Sequence, residues 1–116
     1  MEISKSNEDG VLVVSLAGRL DEMATREVEA AFTEIVERGA APVILDLGGV
    51  EYISSNGLRV LLLFNRGLSR VAGQLKLAGL TPFVAEVFQI SNFTAVFEIY
   101  PTRQLALAAV QERGGS

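Results

Sequence analysis

Residues 42–47, PVILDL, form an apolar run that lacks the polar alternation of a strand with one wet face. A strand of this kind is covered on both sides, most often by helices flanking a parallel sheet. The segments around it supply such helices. Val28, Ala31, Phe32, Ile35 and Val36 recur at spacings of one, three and four within residues 23–38, which predicts an amphipathic helix stopped by Gly39. A second helix is predicted from about Asn56 to Val71, ending near Gly73.

The remaining elements follow the same alternation. VLVVSLA at 11–17 reads as a strand after a turn at Asp9-Gly10, with the residues around Ile3 pairing on it as a hairpin and GRLD at 18–21 breaking it. QLKLAGL at 74–80 is a strand with Leu75 and Leu77 inward and Lys76 outward. Thr81-Pro82 starts a third helix over 83–90, Thr81 as cap and Pro82 in the first helical position. AVFEIY at 95–100 is a last strand, and Pro101 opens a final helix through Glu112. Phe83, Val84, Val87 and Phe88 read as core, joined by Phe93 and Phe97. The order ββαβαβαβα predicts an α/β fold: a single open, mostly parallel sheet with an N-terminal antiparallel strand and about four helices. Residues 1–113 form one domain, and 114–116, GGS, a frayed tail.

The chain's chemical vocabulary is narrow. Without Cys, thiol catalysis, disulfides and thiolate metal sites are excluded. Without His, the commonest general base and transition-metal ligand is missing too. A net charge of −4 argues against a nucleic-acid binder. The polar first residues, MEISKSNED, are unlike a signal peptide, and the longest apolar stretch, VLLLF at 60–64, is too short to span a bilayer. The expectation is a cytoplasmic protein that inserts in no membrane and carries no cofactor.

Attention then falls on residues 48–57, GGVEYISSNG, where the buried strand gives way to the second helix. Ligand sites in open α/β sheets lie at such corners. As a loop, the segment is longer than the two to six residues common between strand and helix. Ser54, Ser55 and Asn56 are all good helix caps, which accounts for them without further function. A serine there also sits where the first N–H groups and the helix dipole favour an anion, and a phosphate would be well placed. Gly57 leaves room for close approach by a backbone or a ligand. A nucleophile elbow is excluded, since Ile53 stands where its first glycine belongs and no His exists. A phosphate-binding P-loop is excluded because the chain has no Gly-Lys pair.

The run VILDLGGVEYISSNGLRVLL resembles the signature of STAS domains, specifically the stand-alone bacterial anti-sigma factor antagonists. GRLD is similar to their earlier Gly-x-Leu-Asp, and the element order above is that of their fold. The resemblance spans nearly the whole chain. It implies a binding switch instead of an enzyme. A serine/threonine kinase that doubles as the anti-sigma factor phosphorylates one serine, the unmodified form binds that kinase, and a PP2C-type phosphatase reverses the modification. By position the acceptor is Ser55, with Ser54 as the alternative, and Asp21 is the aspartate at the first strand–helix corner. The chain departs from the family's usual Asp-Ser-Ser/Thr-Gly: Ser54 replaces the Asp, and Asn56 the following hydroxyl residue. Ala24 stands where a capping Thr is frequent, with Thr25 one position later. Two other readings stay open, a constitutive subunit of a larger assembly and a module binding a nucleotide or other anion.

The partner-binding set expected from these features is Asp21, Tyr52, Ser54, Ser55, Asn56, Gly57, Arg59 and Arg66. Arg59, Arg66 and Arg70 return to within about 20° of one another around the second helix, while residues 21–39 hold six acids and two arginines. Each face reads either as solvated surface or as a steering interface. Val50 and Tyr52 read as exposed anchors, with Tyr52 packed on the sheet edge as the alternative. Asp46 is expected to accept an N–H from Gly48 or Gly49. The oligomeric expectation is a monomer or weak dimer.

Overall fold

Val43, Ile44, Leu45 and Leu47 are all inaccessible to solvent, as a doubly covered strand requires. They belong to the central strand of a computed structural model that describes residues 1–39 and 42–114. The elements run β1 (Glu2–Glu8), β2 (Val11–Leu20), α1 (Glu22–Glu37), β3 (Pro42–Ile53), α2 (Ser55–Arg70), β4 (Gln74–Ala78), α3 (Pro82–Ile90), a 3₁₀ turn (Phe93–Ala95), β5 (Glu98–Tyr100) and α4 (Arg103–Gly114). One five-stranded sheet has the order β1-β2-β3-β4-β5, with β1 antiparallel to β2 and every other pair parallel. The fold class and order expected from sequence are those observed.

The sheet separates two cores. On one face Val14, Leu16, Val43, Leu45, Leu47, Leu75 and Leu77 pack with the inner sides of α1, α2 and α3. On the other, Val11, Val13, Ile44 and Ala78 meet Ala106 and Val110 of α4. Period-2 alternation sends neighbouring residues to opposite faces, so the consecutive apolar residues Val43, Ile44 and Leu45 are the natural consequence. Lys76 corrects the expectation of an outward lysine. It does point away from Leu75 and Leu77, but onto the face that α4 covers, where it is fully buried. Its ammonium is held by Glu98 at 3.0 Å and lies 5.6 Å from the Tyr100 ring centroid.

Several element boundaries differ from the sequence reading. GRL at 18–20 does not break β2, and 48–53 is no loop. The two strands stay paired in register from Leu12↔Val43 to Leu20↔Ile53, with shifts between Ser15 and Ala17 and between Gly18 and Arg19. The Gly-Gly pair that suggested a loop serves this bulged stretch. A Cβ on Gly49 would stand 2.8 Å from that of Ala17. The supposed ten-residue loop thus shrinks to Ser54. At the far end of the chain, β5 is only three residues long. Asn92 turns left-handed, and Phe93–Ala95 coils so that Phe93 and Phe97 meet Phe88, with ring centroids at 5.8–6.1 Å. The final helix begins at Arg103 instead of Pro101, because Thr102 Oγ1 accepts the Leu105 N–H at 3.1 Å. It includes Gly114, so the expected tail starts too early, and residues 115–116 lie outside the described residues.

Arg103 pins α4 to the sheet. Its guanidinium donates to Asp46 Oδ2 at 3.0 Å, to Ser15 Oγ at 2.7 Å and to Glu8 Oε2 at 3.3 Å, joining β3, β2 and β1. Asp46 also accepts the Gly48 N–H at 2.9 Å, the bond expected from sequence. The planar fork of arginine suits a cation shared among several oxygens.

Candidate protein-interaction site

The parallel strands β2 and β3 end side by side, and each hands over to a helix through one capping residue. Asp21 caps α1, its Oδ1 accepting the Ala24 N–H at 3.1 Å. Ser54 caps α2, its Oγ accepting the Gly57 N–H at 3.1 Å. The two corners are tied directly, because the Ser54 N–H donates to the Leu20 carbonyl at 3.0 Å. Both helix N-termini therefore open on the same edge of the sheet.

Division of labour between the two serines follows from this geometry. Ser54 is almost buried and does the capping. Ser55, the first residue of α2, is exposed, and its hydroxyl makes no hydrogen bond among the described residues. Ser54→Ala is expected to cost about 1 kcal/mol of stability, the usual worth of an N-cap. Ser55→Ala should stay within about 0.5 kcal/mol, as exposed substitutions do. Urea unfolding of the two variants checks the contrast, and equal losses would mean that the cap is shared.

Asn56 faces inward along the surface. Its Nδ2 donates to Glu22 Oε2 at 3.2 Å and to Thr25 Oγ1 at 3.3 Å, while its Oδ1 accepts from Arg59 Nε at 3.1 Å. The side chain thus bridges α1 and α2. Thr25 is itself buried and donates to the Glu22 carbonyl at 2.8 Å. The threonine that stands one position late against the family pattern is the one that Asn56 meets.

Gly57 is buried, and this corrects its assignment to a contact surface. The close approach it permits is to its own chain: a Cβ would lie 2.9 Å from Ile53 Cγ1 and 3.0 Å from the Leu20 carbonyl oxygen. Gly57 seats the first turn of α2 on the two strand ends. Val50 is likewise no anchor, being fully buried in the core. Its carbonyl accepts the Thr81 hydroxyl at 2.9 Å, so Thr81 occupies the N-cap position of α3 without making the side-chain cap. Tyr52 falls between the two alternatives. Half-buried, it lies under the Arg19 guanidinium at 4.3 Å and stacks on Phe83 at 5.9 Å. Phe83, read from sequence as core, is 46% exposed there.

Around this edge Asp21 is half-buried, and Ser55, Arg59 and Arg66 are exposed, as is Arg70 farther along α2. All of α1's acids face solvent too. Arg19, Met23 and the Asn56 bridge were not singled out from sequence, and Phe83 was not read as part of a surface. The bridge has no local signal, since its partners lie 31 and 34 residues away. Among the described residues no group of acidic side chains is placed to hold a metal ion, and no helix is long and apolar enough to cross a membrane.

Comparison with known proteins accords with this geometry. The family model for the STAS domain matches residues 2–106. A Bordetella bronchiseptica protein, BtrV, named as a candidate anti-sigma factor antagonist, is 40% identical over 109 residues, covering 94% of each chain. The crystal structure of an anti-sigma factor antagonist from Mycobacterium paratuberculosis superposes with a TM-score of 0.87 at 27% identity, covering 95% of this chain and 93% of that one. The Bacillus cell fate determinant SpoIIAA, in its phosphorylated form, shares the fold with a TM-score of 0.72 at 24% identity, over 94% of this chain and 99% of that one. The chain belongs to the STAS domain family, among the anti-sigma factor antagonists.

Proposed function

We propose that the chain is an anti-sigma factor antagonist that works by partner switching, with Ser55 as the phosphate acceptor. It acts by binding, not by catalysis. The unmodified protein holds an anti-sigma factor that is also a serine/threonine kinase, phosphorylation of Ser55 releases it, and a PP2C-type phosphatase resets the cycle in the cytoplasm. The observation that carries this reading is the exposed Ser55 hydroxyl, spared from capping by Ser54 and lying on the edge where both helix N-termini open. The usual acidic residue before the acceptor is absent, and the neutral Ser54 does the capping in its place. A phosphate on Ser55 therefore meets no carboxylate at the cap itself. The first two N–H groups of α2 stand at the positive end of the helix dipole.

Phosphopeptide mass spectrometry on protein isolated from its native cells across growth states tests the proposal, with Ser55→Ala as control. The expected result is a phosphate on Ser55 whose occupancy changes with conditions. A chain unmodified in every state would leave a constitutive binding surface with Ser55 as an ordinary first-turn residue.

A further inference from the structure

Arg19, Tyr52 and Phe83 come from β2, β3 and α3 and form one surface ladder. Arg19 is exposed, and Tyr52 is its partner in the strand register. Its guanidinium carbon lies 4.3 Å from the Tyr52 ring centroid, and that ring stacks on Phe83 at 5.9 Å with 22° between planes. Phe83 keeps 46% of its surface in solvent. Beyond Arg19 the ladder runs into a groove of about 430 Å³ lined by Met1, Asp21, Met23, Ala24 and Glu27. Met23 is 88% exposed.

Arg19 makes neither an ion pair nor a hydrogen bond among the described residues, even though Asp21 and Glu27 line the same groove. Its place over the Tyr52 ring holds the guanidinium by a cation–π contact and leaves its N–H groups for an external acceptor. A side chain already ordered in this way loses less entropy when it binds. Buried arginine and aromatic side chains are the usual anchors of protein interfaces.

From these features we infer that the ladder is a docking anchor for a protein segment presenting a carboxylate beside an apolar side chain. The carboxylate takes the fork of Arg19, and the apolar group covers Phe83. Asp21 and Glu27 repel an acidic group from the groove and confine it to the Tyr52 side. The proposed role of the Ser55 corner supplies only the identity of the partner, the same protein that Ser55 governs. Leu20 joins the two surfaces, since it follows Arg19 and its carbonyl accepts the Ser54 N–H.

The test is selection of random peptides of about twelve residues displayed on phage against the full chain, followed by affinity measurements on the synthetic peptides. Enriched sequences are expected to carry Asp or Glu within a turn or two of Phe, Leu, Met or Trp. Their affinity should fall at least about tenfold on Arg19→Lys, which keeps the charge but loses the planar fork, and on Phe83→Ala. Arg70→Ala, away from the ladder, should leave it unchanged. All three side chains are exposed, and circular dichroism checks that each variant is folded. Enrichment of peptides without an acid, no enrichment, or affinities indifferent to both ladder variants would overturn the inference. The selection needs neither phosphate nor kinase, so its failure leaves Ser55 phosphorylation standing, and an unmodified Ser55 leaves the anchor standing.

Discussion

Phe64→Ala is expected to remove about 3–5 kcal/mol of stability, the usual cost of emptying a buried phenylalanine site. Phe64 projects from the middle of α2 onto Phe32 of α1, the rings 3.9 Å apart and 7° from parallel. Both are almost fully buried. The stack holds the two helices together below the Asn56 bridge, and an aromatic pair adds about 0.5–1.5 kcal/mol beyond its buried area. Beside it lies a cleft of about 190 Å³ lined by Phe32, Val36, Leu63, Phe64 and Gly67. Truncation enlarges an existing gap, and Gly67, which brings α2 close to Val36, offers no side chain to refill it. For a domain of this size the loss corresponds to a fall in Tm of roughly 10–20 °C. Urea unfolding should show a lower midpoint with an unchanged slope. A loss below about 1.5 kcal/mol would show that Phe32 repacks into the vacated volume.

Phosphoserine installed at position 55 is expected to weaken binding of the anti-sigma factor more than about a hundredfold, equivalent to about 3 kcal/mol. The phosphate brings close to two negative charges and new bulk to an exposed position on the proposed docking edge. Its cost falls on the complex. In the free protein it sits at the start of α2, where the helix dipole favours it, so the Tm should stay unchanged or rise slightly. Ser55→Ala should bind as the unmodified chain does, and Ser55→Asp should fall between the two, having one charge and less bulk. Calorimetric titration of the three forms, with parallel thermal melts, makes the comparison. A phosphorylated chain that binds within about threefold of the unmodified one would falsify release by Ser55 phosphate.

Legibility from sequence divides along physical lines. α1 and α2 were readable because their apolar period is local, and β3 because a run buried on both faces has few alternatives. The continuation of β3 through Ile53 was not. Gly48 and Gly49 carry the local signature of a loop, and only the pairing of a bulged β3 with β2 keeps them in a strand. Lys76 was misplaced for a similar reason: alternation gives the face, while burial depends on α4 lying across it. The Ser-x-Gly spacing points to Ser55 as the proposed acceptor, and a cap was legible in the Ser54–Asn56 cluster. Which serine caps depends on one 3.1 Å bond from the Gly57 amide. Gly57 itself was misjudged, since its neighbour proved to be its own β2 end.

The Arg103 clamp has a consequence for synthesis. Its oxygens come from residues 8, 15 and 46, up to 95 positions upstream. Gln111 adds a further link from α4 to the Asp9 carbonyl at 3.4 Å, 102 positions apart. While the chain is on the ribosome, the β1–β2 hairpin and the strands beside it emerge long before the residue that fastens them. Until α4 packs, Val11, Val13 and Ile44 lack the cover of Ala106 and Val110, and Glu8 and Asp46 lack the guanidinium that both accept from. Such contacts between distant positions are the slow ones to form. The expected consequence is an interval during synthesis in which this face is open to chaperones or to other unfinished chains.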